Sequence, residues 1–129
     1  MKVLDSDHCI ALMHGDIILQ EWVQQDEIIA ITAISVGEIV HGAYKSYNSE
    51  ENIARVRLLL PVLTILPFNE RAAWKFGWLK AYLEKKGMKL DTADLQIAAI
   101  VLARNLILVT HNQKHFQRVP NLKLEDWRV

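Results

Sequence analysis

Four oxygen-bearing side chains, Asp5, Glu38, Asp94 and Asn112, occupy positions where α/β chains build sites. Asp5 closes the short apolar run Lys2-Val-Leu, and Glu38 lies one turn into a helix that follows a second apolar run. Asp94 lies one turn into a helix that is apolar all round, and Asn112 comes just after an apolar strand. In a doubly wound sheet, the C-terminal ends of strands and the N-termini of the following helices share one edge. Four residues spread over the chain can therefore meet in one crevice. Three carboxylates brought together raise one another's pKa values unless a cation neutralises them. Hard oxygen ligands without His or Cys select Mg²⁺ or Mn²⁺ rather than zinc. Such an ion activates water and holds a phosphodiester.

A purely structural reading competes for two of the four. Ser35-Val-Gly-Glu38 has the form of a capping box, in which Glu38 reaches back to the Ser35 backbone, and Asp91-Thr-Ala-Asp94 is nearly the same. Negative charge in a first turn stabilises a helix by about 0.3–1 kcal/mol with no function attached. Asp5 resists this reading, because a carboxylate closing an apolar strand has no cap to make at that point. Asn112 alone is a weak signal, since Asn is common in turns.

The elements that must position these residues alternate between strands and helices. Strands are expected at 2–5, 28–32, 63–66 and 106–110, with an edge strand at 122–124. Ser6 or Asp7 can cap a first helix that Gly15 stops, and Asp16 a second over residues 17–25. A third helix starts near Ser35; a fourth, opened by Ser49-Glu-Glu, ends at Pro61. Asn69 opens a long amphipathic helix over residues 70–85 that Gly87 ends, and Asp91 caps the next, whose residues 97–103 are apolar on every face. Strands without polar alternation are buried on both faces, the habit of parallel sheets covered by helices. The expectation is a three-layer α/β/α domain over 1–129, with a mostly parallel central sheet and right-handed crossovers. There is no repeat, low-complexity segment or linker.

Composition narrows the class. A chain of 129 residues that is 51% hydrophobic can bury a sizeable core. Fifteen basic and fifteen acidic residues cancel, which removes the electrostatic footprint of a high-affinity nucleic-acid binder but leaves room for an enzyme acting on a few phosphates. The single Cys9 cannot form an internal disulfide, no apolar run approaches the ~20 residues of a membrane span, and the opening residues lack a signal peptide's apolar region. A cytoplasmic setting is expected.

Four stretches occur in order: Val3-Leu-Asp-Ser-Asp-His8, Thr32-Ala-Ile-Ser-Val-Gly-Glu-Ile-Val-His-Gly42, Asp94-Leu-Gln-Ile-Ala-Ala99 and Leu108-Val-Thr-His-Asn-Gln-Lys-His-Phe116. Together they resemble the signature blocks of PIN-domain ribonucleases, specifically the VapC-type toxins of bacterial and archaeal toxin–antitoxin pairs. The tail Arg118-Val-Pro-Asn-Leu-Lys-Leu-Glu-Asp-Trp127 resembles the family's ending, and the likeness is weakest between residues 45 and 88. The resemblance implies an endoribonuclease using Mg²⁺ or Mn²⁺, with Asp5, Glu38 and Asp94 as its three acids. Asn112 stands where the family has a fourth acid or an Asn, Thr110 matches the small hydroxyl residue before it, and Ser6 stands where Thr is commoner. With Asn112 neutral, three formal charges suffice for one divalent ion and leave a second dependent on substrate phosphate. A homodimer and a cognate VapB-type antitoxin lying across the site are also implied.

The implied chemistry has Asp5 and Asp94 as direct or water-mediated metal ligands, Glu38 orienting or deprotonating the attacking water, and Asn112 holding a water or a phosphate oxygen. In-line attack by water leaves a 5′-phosphate and a 3′-hydroxyl. Lys114, His115 and Arg118 either touch phosphates or belong to a solvated loop, and Asp7 and Asp91 flank the cluster as ordinary N-caps. His111 and His115 have the spacing of two metal ligands on a helix, but no third ligand accompanies them. Two rivals remain. Asp5-Ser-Asp7 after a strand suits a phosphotransferase of the haloacid dehalogenase type, yet His8-Cys-Ile-Ala lacks the residues that class requires. The other is a catalytically inactive interaction module that keeps the fold and its caps. Finally, four Trp residues and the run Leu58-Leu-Leu-Pro-Val-Leu63 exceed what one small subunit needs for its core. Trp74 and Trp78, one turn apart, therefore either fill the core or anchor an interface. The expectation is a groove between segment 49–66 and helix 69–86 that receives an antitoxin helix and opens toward the acidic crevice.

Overall fold

Side-chain alternation along the strands sorts the interior into two cores. A computed structural model of the chain describes residues 1–25 and 28–127. Chain order is β1 (Lys2–Leu4), α1 (Ser6–Met13), α2 (Ile17–Gln25), β2 (Ile29–Thr32), α3 (Ala33–Lys45), α4 (Ser49–Leu59), a 3₁₀ turn (Leu60–Val62), β3 (Thr64–Leu66), α5 (Glu70–Lys85), α6 (Thr92–Ala103), β4 (Ile107–Val109), α7 (Gln113–Phe116) and β5 (Lys123–Glu125). The sheet runs β3-β2-β1-β4-β5, and all four pairings are parallel. Val3 of the central strand lies opposite Ala30 on one side and Leu108 on the other.

Those three residues are fully buried in a core that includes Leu79 and Leu83 of α5 and Ile97, Ile100 and Val101 of α6. Their neighbours Leu4, Ile31 and Val109 point the other way, into a core with Cys9, Leu19, Ile39, Val56 and Trp127. Each such aliphatic side chain, fully buried, contributes about 1.5–3 kcal/mol. The three-layer parallel architecture expected from the apolar strands is the one observed. Strand order reverses between β1 and β4, because β2 and β3 extend the sheet in one direction and β4 and β5 in the other.

Local signals placed the start of α2, where Asp16 accepts the Leu19 N–H at 3.1 Å, and both ends of α5. Gly87, at φ +67°, ends α5 in the left-handed conformation while the Met88 N–H reaches back to the Leu83 carbonyl at 2.9 Å. Caps elsewhere differ from expectation. Asp5 itself caps α1 and accepts the His8 backbone N–H, in place of Ser6 or Asp7. Thr32, the last residue of β2, caps α3 by accepting the Ser35 N–H at 3.1 Å, so this helix begins before Ser35. Asn48 holds the cap position of α4 without a side-chain cap bond, and the chain passes through Pro61 in the 3₁₀ turn.

The expected groove between segment 49–66 and helix 69–86 is not formed. Val56 of α4 packs in the core on one face of the sheet, whereas Ala72, Leu79 and Leu83 of α5 pack on the other. Crossovers after β1 and β2 run in one direction and the return from β3 to β4 in the opposite one. With a constant right hand, this puts α4 and α5 on opposite faces. Trp74 and Trp78 are nonetheless exposed, by 75% and 55%, and line a shallow apolar hollow with Glu70, Ala73 and Gly77. The core reading of this pair is thereby excluded. Among the described residues, no helix is long and apolar enough to cross a membrane.

Candidate active site

The site grows from the reversal of strand order between β1 and β4, where a doubly wound sheet opens a crevice beyond its strand ends. At the end of β1, the Asp5 N–H bonds the Val109 carbonyl at 3.0 Å, locking this residue to β4. Asp5 Oδ1 accepts the His8 backbone N–H at 2.9 Å and pairs with His8 Nδ1 at 2.8 Å. The Thr110 hydroxyl bonds the same carboxylate, and it also accepts the Asn112 backbone N–H at 3.0 Å. Burial pushes the Asp5 carboxyl up. The bonds from the His8 ring, the Thr110 hydroxyl and the His8 backbone outweigh it and hold the group below its ordinary value.

Glu38 comes from the next βα unit. Because Thr32 starts α3 at the end of β2, Glu38 lies beyond the first turn, out of reach of a cap. Its exposed carboxylate instead accepts the Ser6 hydroxyl at 2.8 Å, joining α3 to the start of α1. The capping-box reading of Glu38 therefore fails. Asp91 occupies the cap position of α6 without a side-chain bond to the helix, so its reciprocal box with Asp94 is not made either.

Asp94 is half-buried on α6, and its carboxyl is pushed up. Burial is the largest cause, followed by the charges of Asp91 and Glu38, with His115 opposing and Asp5 adding a smaller push. Three of the four residues singled out by position, Asp5, Glu38 and Asp94, thus share one electrostatic neighbourhood. Asn112 joins less directly: its side-chain amide bonds His115 Nδ1 at 2.9 Å, and its backbone reaches Asp5 through Thr110.

The donor set is all oxygen and mutually repulsive, which suits a hard cation. Among the described residues, no three His, Cys, Asp or Glu side chains stand close enough to ligate one ion together. Mg²⁺ is commonly held by one or two carboxylates with waters completing its shell, so this spacing fits a hydrated ion better than an all-protein cage. Thiol chemistry is disfavoured, because burial and the nearby Asp5 charge push the Cys9 thiol up.

The other candidates resolve separately. His111 lies outside α7 and its Nδ1 pairs with Asp126 Oδ2 at 2.6 Å, whereas His115 turns to Asn112. With His111 outside α7, the two rings do not share a helix face, and among the described residues no third His, Cys, Asp or Glu completes a metal site with them. Arg118 donates to the Lys89 carbonyl at 2.7 Å, tying the segment after α7 to the loop before α6. Lys114 is exposed, as are Asp7 and Asp91. Trp22 stacks on buried Trp127 with ring centroids 5.6 Å apart. Two residues escaped the sequence reading. His8, fully buried, and Asp126 both stand behind Asp5; the i, i+3 spacing of Asp5 and His8 was a local signal for the first, whereas no local spacing relates either residue to Asp126.

Comparison with known proteins agrees with this geometry. The PIN domain family matches residues 2–122. The chain is 35% identical to Ribonuclease VapC2 of Rickettsia felis, over 97% of this chain and 96% of that protein. It is 31% identical to the tRNA(fMet)-specific endonuclease VapC of Salmonella typhimurium, over 97% and 96%. Among solved structures, DNA-bound VapBC from Salmonella typhimurium superposes with a TM-score of 0.93 at 30% identity, covering 98% of this chain and 97% of that one. VapBC2 from Rickettsia felis, bound to a promoter DNA fragment, gives 0.91 at 32%, covering 98% of each. A parallel sheet in the same order of layers, an acidic crevice at its point of reversal and these likenesses place the chain in the PIN-domain family, among its VapC-type members.

Proposed function

We propose that this chain is a Mg²⁺- or Mn²⁺-dependent endoribonuclease toxin that cleaves RNA phosphodiester bonds and is restrained by a cognate VapB-type antitoxin. The observation that carries the reading is the electrostatic convergence of Asp5, Glu38 and Asp94, from the cap of α1, the second turn of α3 and the first turn of α6, on the strand-end edge of the sheet. Relatives named ribonucleases and neighbours solved as VapBC complexes support it.

In this reading Asp5 and Asp94 hold the ion, directly or through water. When bound there, the ion would lower the pKa of a coordinated water and neutralise phosphate charge. Glu38, steadied by Ser6, would orient the attacking water and accept its proton. Asn112, steadied by His115, holds a phosphate oxygen or a water. In-line attack leaves a 5′-phosphate and a 3′-hydroxyl.

The apolar face around Trp74 and Trp78 suits a two-fold homodimer, and on the opposite side of the sheet exposed Leu58 and Val62 offer the antitoxin an apolar seat. A basic antitoxin side chain would neutralise the carboxylates in place of the ion. The single buried Cys9 and the substrate class fit a cytoplasmic setting. An interaction module without activity draws on one observation, the absence of three ready ligands among the described residues.

One experiment separates the two: incubate purified chain with RNA and Mn²⁺, beside Asp94→Ala. Cleavage with new 5′-phosphates that disappears in the variant is expected. Wild-type protein inert on RNA and harmless on expression would establish the interaction module instead.

A further inference from the structure

His8 is the least explained polar group in the molecule. Its ring is fully buried, yet Nε2 has no hydrogen-bond partner, an arrangement that is rare and costly. On one side, Nδ1 and the His8 backbone N–H both grip Asp5 Oδ1, at 2.8 and 2.9 Å. On the other, Nε2 faces Asp126 Oδ1 at 3.7 Å, beyond hydrogen-bond range but close enough for charge to act. Asp126 is in turn held by His111, whose Nδ1 lies 2.6 Å from Oδ2. The segment bearing Asp126 is well anchored. The Thr110 N–H bonds the Glu125 carbonyl at 2.8 Å, and Trp127 is buried, stacked on Trp22 and bonded through Nε1 to Glu125 Oε2.

These contacts close a ring. From Asp5 it runs through His8 and Asp126 to His111, continues along the backbone to Asn112, and returns to Asp5 by way of Thr110. It joins the end of β1, the end of β4 and the segment after β5, the three places whose relative position decides where Asp5 points.

We propose that His8 is a positioning residue for the candidate active site, held from behind by Asp126, and that it fixes the Asp5 carboxylate in the orientation the divalent cation requires. Gripping one oxygen twice fixes the plane of the carboxylate, and so the direction of its remaining lone pairs. A group that orients a metal-binding carboxylate typically changes metal affinity by about 10–100-fold when removed. This inference rests on the metal-dependent reading above.

The test is Mn²⁺ binding to the full chain, measured by calorimetry, with the melting temperature of every variant recorded beside it. An Asn amide nitrogen falls near the position of Nδ1 of the imidazole, and a Gln amide nitrogen near that of Nε2. His8→Asn should therefore keep Mn²⁺ affinity within a few-fold of wild type, while His8→Gln, at a similar melting temperature, should lose about 10-fold or more. Asp126→Ala, which frees the outer side of the ring, should fall between them. Equal affinities for the Asn and Gln variants would overturn the proposal and leave His8 as core filling. The control for the underlying reading is Asp5→Asn: wild-type binding that this variant abolishes upholds the metal site. A wild-type chain that takes up no Mn²⁺ sinks the metal reading and this inference together.

Discussion

Asp5 and Asp94 face the same crevice with opposite preparation. Asp5 is buried and bonded on several sides, and its carboxyl is held low; Asp94 is half-buried among other acids, and its carboxyl is pushed up. One carboxylate is therefore fixed before any ion arrives, and the other stores a repulsion that an ion would relieve. The contrast follows from where each sits. Asp5 lies at a strand-to-helix junction, where backbone N–H groups and a buried imidazole lie at hand, whereas Asp94 lies inside the first turn of a helix whose cap residue makes no side-chain bond. In the proposed metal site, the first would contribute geometry and the second affinity.

The comparison breaks most visibly in activity, where the two acids should behave alike. Asp5→Ala and Asp94→Ala should each lower RNA cleavage by at least about 10²-fold, the scale on which positioned acid–base and charge-stabilising groups act. Initial rates on a labelled RNA with Mn²⁺ check this. A variant retaining a third of wild-type activity would remove that acid from the mechanism.

In stability they should diverge. Asp5→Ala removes an N-cap and leaves the His8 ring and the Thr110 hydroxyl short of a partner, so a loss of about 1–3 kcal/mol is expected in urea titration without metal. Clustered acids suggest that deleting either one relieves repulsion, but for Asp5 the lost bonds outweigh that relief. Asp94→Asn should instead stabilise the metal-free chain, by under about 1 kcal/mol because solvent screens a half-buried group. Equal destabilisation by the two substitutions would erase the contrast.

A smaller effect isolates Glu38. Ser6→Ala removes one exposed hydrogen bond, so cleavage should fall only about 2–10-fold, in line with the roughly 0.5–1.5 kcal/mol of such a bond. Activity at the level of Glu38→Ala would give Ser6 a role beyond steadying its partner.

The smallest effect sharpens the comparison through pH. Asp5 has a folded pKa below the reference of 3.8, so its stabilising contribution is complete above that value and is lost as pH falls through the lowered one. Asp94 has a folded pKa above 3.8, so its penalty is present at neutral pH and disappears as pH falls through the raised value. The gain in melting temperature of Asp94→Asn over wild type should therefore appear at pH 7 in chelator and vanish near pH 3. Mg²⁺ should cancel the gain at pH 7 by binding the folded wild type. A gain independent of both pH and Mg²⁺ would show that the Asp94 charge is not its source.

What could be read in advance, and what could not, divides by range. Uninterrupted apolar strands, the cap of α2 and the signals at both ends of α5 are local, so the sequence by itself determined a parallel sheet between helical layers and named Asp5, Glu38, Asp94 and Asn112 as positions that edge could gather. Caps were less legible: the expected boxes at Ser35 and Asp91 look the same in sequence, yet Thr32 took one helix start and Asp91 made no side-chain bond at the other. Cap choice depends on the backbone angle leaving the preceding strand or loop, which residue type constrains weakly. Apolar excess in α4 and α5 was legible too, but not that the two helices lie on opposite faces. Crossover handedness decides that, and each helix's own periodicity is blind to it. The tertiary structure alone brought Asp126, near one end of the chain, behind His8, near the other, and so set the surroundings of Asp5. Local spacing can say which groups lie on an edge; only the closed sheet decides what stands behind them.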